Sequence, residues 1–193
     1  AILSMILARE LKAPAAAVKL VGLGALLHDI GKADLPERVV RKFTPLTTAE
    51  AAVYQLHCEK GVAMGKAMGV SGEVRAIIEQ HHEMVDGSGY PRRLSGSQLT
   101  LLTRIVALVN AYDNLCNPLD PQRALTPHEA MSIIYGQRRA QFDGMVLTTF
   151  VRSVGIYPPG TIVALSNGTL GMVVAVNSSR PLKPTVLVYD PGV

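Results

Sequence analysis

The chain has 193 residues, 48% of them hydrophobic, which suffices for one domain of ordinary size, or one with a small appendage, to bury a real core. Its formal net charge of +4 comes from scattered Lys and Arg, Arg92-Arg93 and Arg138-Arg139 being the adjacent arginine pairs, so there is neither a basic stripe nor an aromatic platform and no DNA or RNA partner is expected. The most apolar stretch, Ala15 to Leu27, is interrupted by Lys19, Gly22 and Gly24 and falls short of the roughly 18 apolar residues of a membrane span.

In chain order, Ile2-Leu3, Ile6-Leu7 and Leu11 set out an amphipathic helix that Ala1 enters without an N-cap or an initiator Met, so the chain is expected to be part of something longer. A second helix is predicted from about Ala15 into His28-Asp29, stopping at Gly31 as a left-handed cap. Thr47 with Glu50 forms a capping box opening a helix that carries His57, and Gly61 and Gly65 predict a bend or restart within it. Ser71 and Glu73 start a helix whose stripe is Val74, Ile77 and Ile78 and whose C-terminal end carries His81-His82. A second capping box, Ser95 with Gln98, precedes the long segment Leu99 to Leu115; Thr126-Pro127-His128-Glu129 is another start signal, and Phe142 to Val154 closes the helical part.

After Gly155 the pattern becomes β-like. Ile162 to Leu165 and Leu170 to Val176 flank Asn167-Gly168, a dipeptide favouring a hairpin turn with positive φ at both centres, and Thr185 to Tyr189 supplies a third strand. The expected division is therefore a helical domain over 1–154 and a small antiparallel β appendage over 155–193 packed on it. Cys58 and Cys116 form neither a CxxC nor a paired framework, which points to free thiols in a reducing compartment and to a cytoplasmic location.

Four of the five histidines fall in short clusters: His28-Asp29 with Lys32 behind it, His57, and His81-His82 followed by Asp86-Gly87-Ser88-Gly89-Tyr90-Pro91. Imidazoles hold first-row divalent ions, a carboxylate can link two of them, and a glycine-rich loop leaves room for an anionic substrate, so a phosphoester hydrolase is the first reaction class to weigh. Singly, each cluster has a plainer reading. A His-Asp pair at a helix end is often an internal hydrogen bond, and a lone half-buried His such as His57 is usually structural. Adjacent residues on a helix point about 100° apart, so His81 and His82 reach one site only if it lies over the helix end.

Together these motifs resemble the HD-GYP domains, a branch of the HD phosphohydrolase superfamily that hydrolyses the bacterial second messenger cyclic di-GMP. The matching text is Leu26-Leu27-His28-Asp29-Ile30-Gly31-Lys32, then His57 with Glu59 and Gly61, then His81-His82-Glu83 through Pro91, then Arg104 to Leu108 leading to Tyr112-Asp113. The resemblance implies a mainly α, HD-superfamily helical bundle, entered part-way along its first helix. It implies metal ligands at His28, Asp29, His57, His81, His82 and the position of Asn110, with Asp29 bridging two ions. Asp29 and Lys32 would be catalytic, Lys32 stabilising charge or protonating a leaving oxygen. Asp86, Gly87, Gly89, Tyr90, Pro91 and Arg104 would bind substrate. The ions would be iron or manganese, with zinc a third choice, and would activate a water for attack on phosphorus to give pGpG and then GMP.

Three departures accompany the match. Asn110 stands where the family carries an aspartate ligand; a further histidine ligand usually lies upstream of Ala1; and Cys116 to Gln122 lacks the family's basic and aromatic residues. One metal position is thus fully furnished by Asp29, His57, His81 and His82, and the second is weakened. The alternative function is a degenerate module that senses the nucleotide or docks a protein, a diguanylate cyclase or receiver domain being the implied partner and a homodimer another assembly.

Overall fold

The computed structural model describes residues 1–177, 179–180 and 182–188. Eight α-helices come first: α1 (Ile2–Glu10), α2 (Ala15–Leu27), α3 (Glu37–Val40), α4 (Thr48–Ala67), α5 (Gly72–Gln80), α6 (Leu101–Cys116), α7 (Pro127–Gly136) and α8 (Gly144–Val154). They are followed by β1 (Ile162–Ala164), β2 (Leu170–Ala175) and β3 (Thr185–Val188). Among the described residues no helix is long and apolar enough to cross a membrane.

The core is organised around α6, which touches α1, α2, α5, α7 and α8. Ile105, Leu108 and Tyr112 on α6 meet Leu7 of α1, Val21 of α2, Ile77 of α5, Ile134 of α7 and Phe150 of α8 in one apolar cluster. Burying each of these large side chains contributes about 1.5–3 kcal/mol against the entropy of ordering it. The rings of Tyr112 and Phe150 meet edge to face, 5.2 Å between centroids.

Helix starts follow their caps. Thr47 accepts from the Glu50 N–H while the Glu50 carboxylate accepts from the Thr47 N–H, and Thr126 with Glu129 repeats the arrangement on α7. Ser71 accepts from the Val74 N–H, and Val74, Ile77 and Ile78 are fully buried. The box at Ser95 and Gln98 closes only a short 3₁₀ turn, Gly96–Gln98; α6 has its own cap, Thr100, which accepts from the Thr103 N–H.

Two glycine expectations are corrected. Gly31 is not a left-handed cap. It lies inside a 3₁₀ turn, Ile30–Asp34, and a Cβ on it would collide with the His57 carbonyl and the Gly61 N–H on α4. Gly61 and Gly65 neither bend nor restart α4, which runs unbroken for 20 residues; a Cβ on Gly61 would reach within 2.7 Å of Ile78 Cγ2 on α5. These glycines permit close packing of the Asp29 turn, α4 and α5.

The sheet has the order β1-β2-β3, both pairs antiparallel, with Ile162 opposite Met172, Gly171 opposite Val188, and a bulge between Val173 and Ala175. The turn at Asn167-Gly168 also differs from expectation: Leu165 O accepts from Gly168 N–H at 2.8 Å and Gly168 alone has positive φ, +84°. That is the three-residue hairpin loop, with its glycine on the left-handed side, rather than the two-residue turn. The appendage meets the helices where Tyr157 stacks on His128 of α7, 4.7 Å apart and 8° from parallel. Tyr189, expected to end the third strand, lies outside the described residues.

Candidate metal centre

Three elements deliver the histidine clusters to one place. Asp29 follows His28, the residue that caps the C-terminus of α2, His57 sits mid-way along α4, and His81-His82 follow the last turn of α5. One ligand atom from each of Asp29, His57, His81 and His82 falls within 4.8 Å of all the others. Asp29 Oδ1 is 3.5 Å from His57 Nε2 and 3.7 Å from His81 Nε2.

The helices also set the tautomers. Nδ1 of His28, His57 and His81 lies 2.9, 2.6 and 2.8 Å from the carbonyls of Ala25, Tyr54 and Ile78, each three residues back. A carbonyl only accepts, so each Nδ1 carries the proton and each Nε2 keeps its lone pair. The Nε2 atoms of His57 and His81 therefore face each other as two lone pairs only 3.2 Å apart, a repulsive contact until a cation lies between them. Two nitrogens about 2.1 Å from one ion and about 100° apart would be separated by about 3.2 Å. Asp29 Oδ1 and His82 Nε2 are buried with no hydrogen-bond partner among the described residues. An ion is what these orphaned atoms fit.

Electrostatics agree with that donor set. Burial holds the His57 imidazole down to about 4; burial, with His81 and His57 beside it, holds His82 down to about 2; burial also lowers His81. All three are neutral at pH 7, the form in which an imidazole can hold a metal. Burial by itself would raise the Asp29 carboxyl, but the polar groups packed around it, the Lys32 ammonium among them, reverse this and hold it far below the ordinary carboxylate range. Lys32 Nζ lies 2.5 Å from Asp29 Oδ2 and 5.1 Å from the centre of the Tyr54 ring, and the carboxylate outweighs burial to raise its pKa. Nearby Cys58 is buried and pushed up to about 12, so it stays a thiol.

A pH dependence follows for the metal-free protein. The folded-state pKa values of His57, His81 and His82 lie below the unfolded value of 6.5, so the unfolded chain binds more protons and stability falls as pH drops below about 6.5. His57 and His82 together give a slope of about 2.5 kcal/mol per pH unit near pH 5, and His81 adds to it in the same direction. Asp29 acts lower: its contribution is present above the unfolded carboxyl value of 3.8 and is lost as pH falls below it. Urea midpoints of metal-free protein between pH 8 and 4.5 measure this, and a flat profile would contradict the buried neutral imidazoles.

The remaining expected site residues occupy different surroundings. His28 Nε2 faces Asp29 Oδ2 at 3.3 Å, on the side of the carboxylate away from His57. Asn110 shares with His28, Ser4 and Asp113 a cavity of about 370 Å³, and its Oδ1 accepts from Asn114 Nδ2 at 3.2 Å. Arg104 is not brought to the cluster: Nη1 pairs with Asp143 at 2.8 Å and Nη2 donates to Gly96 O at 2.5 Å, so both terminal nitrogens are engaged within the protein. Asp86 accepts from the Ser88 N–H and hydroxyl at 2.9 and 2.6 Å, holding the loop that begins at Gly87, whose φ is +79°. Gly89 lies against His82 O and Met84 N, where no Cβ fits, and Tyr90 stacks on His82, 4.5 Å between ring centres. Tyr90-Pro91 is a cis peptide.

Glu83 belongs to the matching motif, which implies no role for it. It is 1% exposed, and its two oxygens accept from the Arg92 and Leu94 N–H groups at 2.6 and 2.9 Å. A buried charge survives by such pairing, and this one ties the loop to the end of α5. Its place beside two histidines was the only signal available in the sequence.

A family model described as HD domain matches residues 2–146, three-quarters of the chain. The chain belongs to the HD domain family. Among curated proteins this HD domain is 35% identical, over 97% of its length, to a cyclic di-GMP phosphodiesterase of Pseudomonas aeruginosa, of which it covers 45%. It is 38% identical over 46% of its length to a 3'3'-cGAMP-specific phosphodiesterase of Vibrio cholerae, covering 17% of that protein. Among solved structures it superposes on an HDG"Y"P protein from Bdellovibrio bacteriovorus with a TM-score of 0.65 and 24% identity, over 77% of this chain and 47% of that one, a likeness of fold. The HD domain thus spans less than half the length of these relatives.

Proposed function

We propose that this HD domain is the catalytic part of a metal-dependent phosphodiesterase that hydrolyses cyclic di-GMP. The observation that carries the reading is the set of orphaned donors, Asp29 Oδ1 and His82 Nε2, beside the facing lone pairs of His57 and His81. Asp29, His57, His81 and His82 would hold one divalent ion, iron or manganese by the family resemblance, and His28 with the other Asp29 oxygen would serve a second. Ions so held supply Lewis acidity and lower the pKa of water near phosphorus. The chain's own contributions are distinct. Lys32, kept charged by Asp29, offers a proton and a positive field 2.5 Å from the carboxylate. The loop from Gly87 to Pro91 supplies backbone close to the ring of His82, and Tyr90 covers that ring against water. The Pseudomonas relative's name gives the substrate. A cytoplasmic location suits a second-messenger substrate.

A second reading, a nucleotide-sensing or protein-docking module, is favoured by one feature: the neutral Asn110, bonded to Asn114, beside His28. Metal analysis of purified protein, with cyclic di-GMP turnover followed by chromatography, separates the two. At least one metal per chain with formation of pGpG is expected; less than one metal and no pGpG would sink the enzyme reading. Asn110→Asp adds a charged ligand atom and is expected to raise metal occupancy toward a second ion; unchanged occupancy would place Asn110 outside the coordination shell.

A further inference from the structure

Among the described non-glycine residues, two hold positive φ, Lys12 at 60° and Arg93 at 56°. Lys12 has an ordinary reason. It ends α1, donating to Arg9 O at 2.9 Å while Ala13 N–H donates to Ala8 O at 3.0 Å, the closure that places a residue in the left-handed region. Arg93 ends no helix. It is forced into that region by Glu83, whose carboxylate takes the N–H before it and the N–H after it, Arg92 and Leu94. Glycine would sit there without penalty, and an arginine costs stability, so the side chain is the feature to explain.

That side chain is exposed and makes no ion pair or side-chain hydrogen bond among the described residues, whereas Arg92 reaches Glu79 and Arg104 is held by Asp143. It borders a cavity of about 360 Å³ whose other walls are Gln55 and the loop Gly87 to Pro91. Arg93 is the one charged residue lining it. Tyr90 belongs to this wall and also stacks on His82, so the cavity stands one aromatic ring away from the cluster. A free guanidinium over a neutral polar cavity selects an anion, and its planar fork matches two phosphate oxygens.

We propose that Arg93 is a specificity-determining residue that holds the second, uncleaved phosphodiester of a cyclic dinucleotide while the first lies at the metal centre. The inference rests on the phosphodiesterase reading for the position of the first phosphate. A cyclic dinucleotide carries two phosphodiesters in one ring, so fixing one leaves the other displaced to the side, and the cavity beyond Tyr90 is where a cation waits.

Arg93→Gly tests this without endangering the fold, because glycine relieves the backbone. In manganese-loaded protein KM for cyclic di-GMP is expected to rise about ten-fold or more with kcat nearly unchanged. Hydrolysis of bis(p-nitrophenyl) phosphate, which has one phosphodiester, is expected to stay the same, and Arg93→Lys to recover part of the loss. Calorimetric titration of metal-free protein with cyclic di-GMP gives a readout independent of turnover. An unchanged KM and affinity in Arg93→Gly overturns the proposal, as does an equal loss on both substrates. Arg93-dependent binding without hydrolysis of either compound upholds it and removes the phosphodiesterase reading. A wild type that cleaves the small diester but neither binds nor cleaves cyclic di-GMP overturns the proposal and leaves a metal-dependent phosphodiesterase with a different substrate.

Discussion

Asp29→Ala is expected to remove bound metal and to lower kcat/KM for cyclic di-GMP at least about 10³-fold, equivalent to about 4 kcal/mol of transition-state stabilisation. The reason lies in the two oxygens of one carboxylate. Oδ1 faces His57 and His81, and Oδ2 faces His28 and Lys32, so a single deletion empties both sides at once. It also leaves the half-buried Lys32 ammonium beside three imidazoles with nothing to neutralise it, which disfavours any cation. Lys32→Ala is the informative contrast. It keeps all four clustered ligand atoms, so metal content is expected to hold while kcat falls about 10²-fold or more. Measuring metal per chain and turnover on both variants decides the roles: loss of metal in Lys32→Ala, or retention in Asp29→Ala, would reverse the assignment.

The parts of the fold written in adjacent residues were legible. Thr47 with Glu50 and Thr126 with Glu129 announce helix starts because a capping box is completed within four residues, and Val74, Ile77 and Ile78 announce a buried face by spacing alone. The histidine clusters were legible as a metal-ligand inventory. What could not be read is any contact made across the chain. Arg104 looked available for phosphate because its partner, Asp143, lies 39 residues away. Glu83 had no assigned role because the N–H groups it binds belong to a loop that folds back over α5. The glycines were misjudged for the same reason: positive φ, bends and close packing all use glycine, and only the neighbouring backbone says which.

That neighbouring backbone makes Gly31→Ala a severe change for so small a side chain. The added methyl group would meet the carbonyl of His57 itself and the N–H of Gly61, both in the middle of α4, where no rotamer change gives relief. Overpacking against side chains costs about 1–3 kcal/mol; against helix backbone the cost is expected at about 3 kcal/mol or more, a fall in Tm of about 6–12 °C. The same displacement separates Asp29 from His57, now 3.5 Å apart, and shifts of about 1 Å in a ligand are expected to weaken metal binding about ten-fold or more. Gly136→Ala is the matched control. Nothing lies within 4 Å of a Cβ on that residue at the end of α7, so it is expected to be neutral or to stabilise by up to about 1 kcal/mol. Thermal melts and manganese titrations of the two variants test the link between packing and site. If Gly31→Ala kept wild-type Tm and metal affinity, the glycine contact between the Asp29 turn and α4 would not be what aligns the ligands.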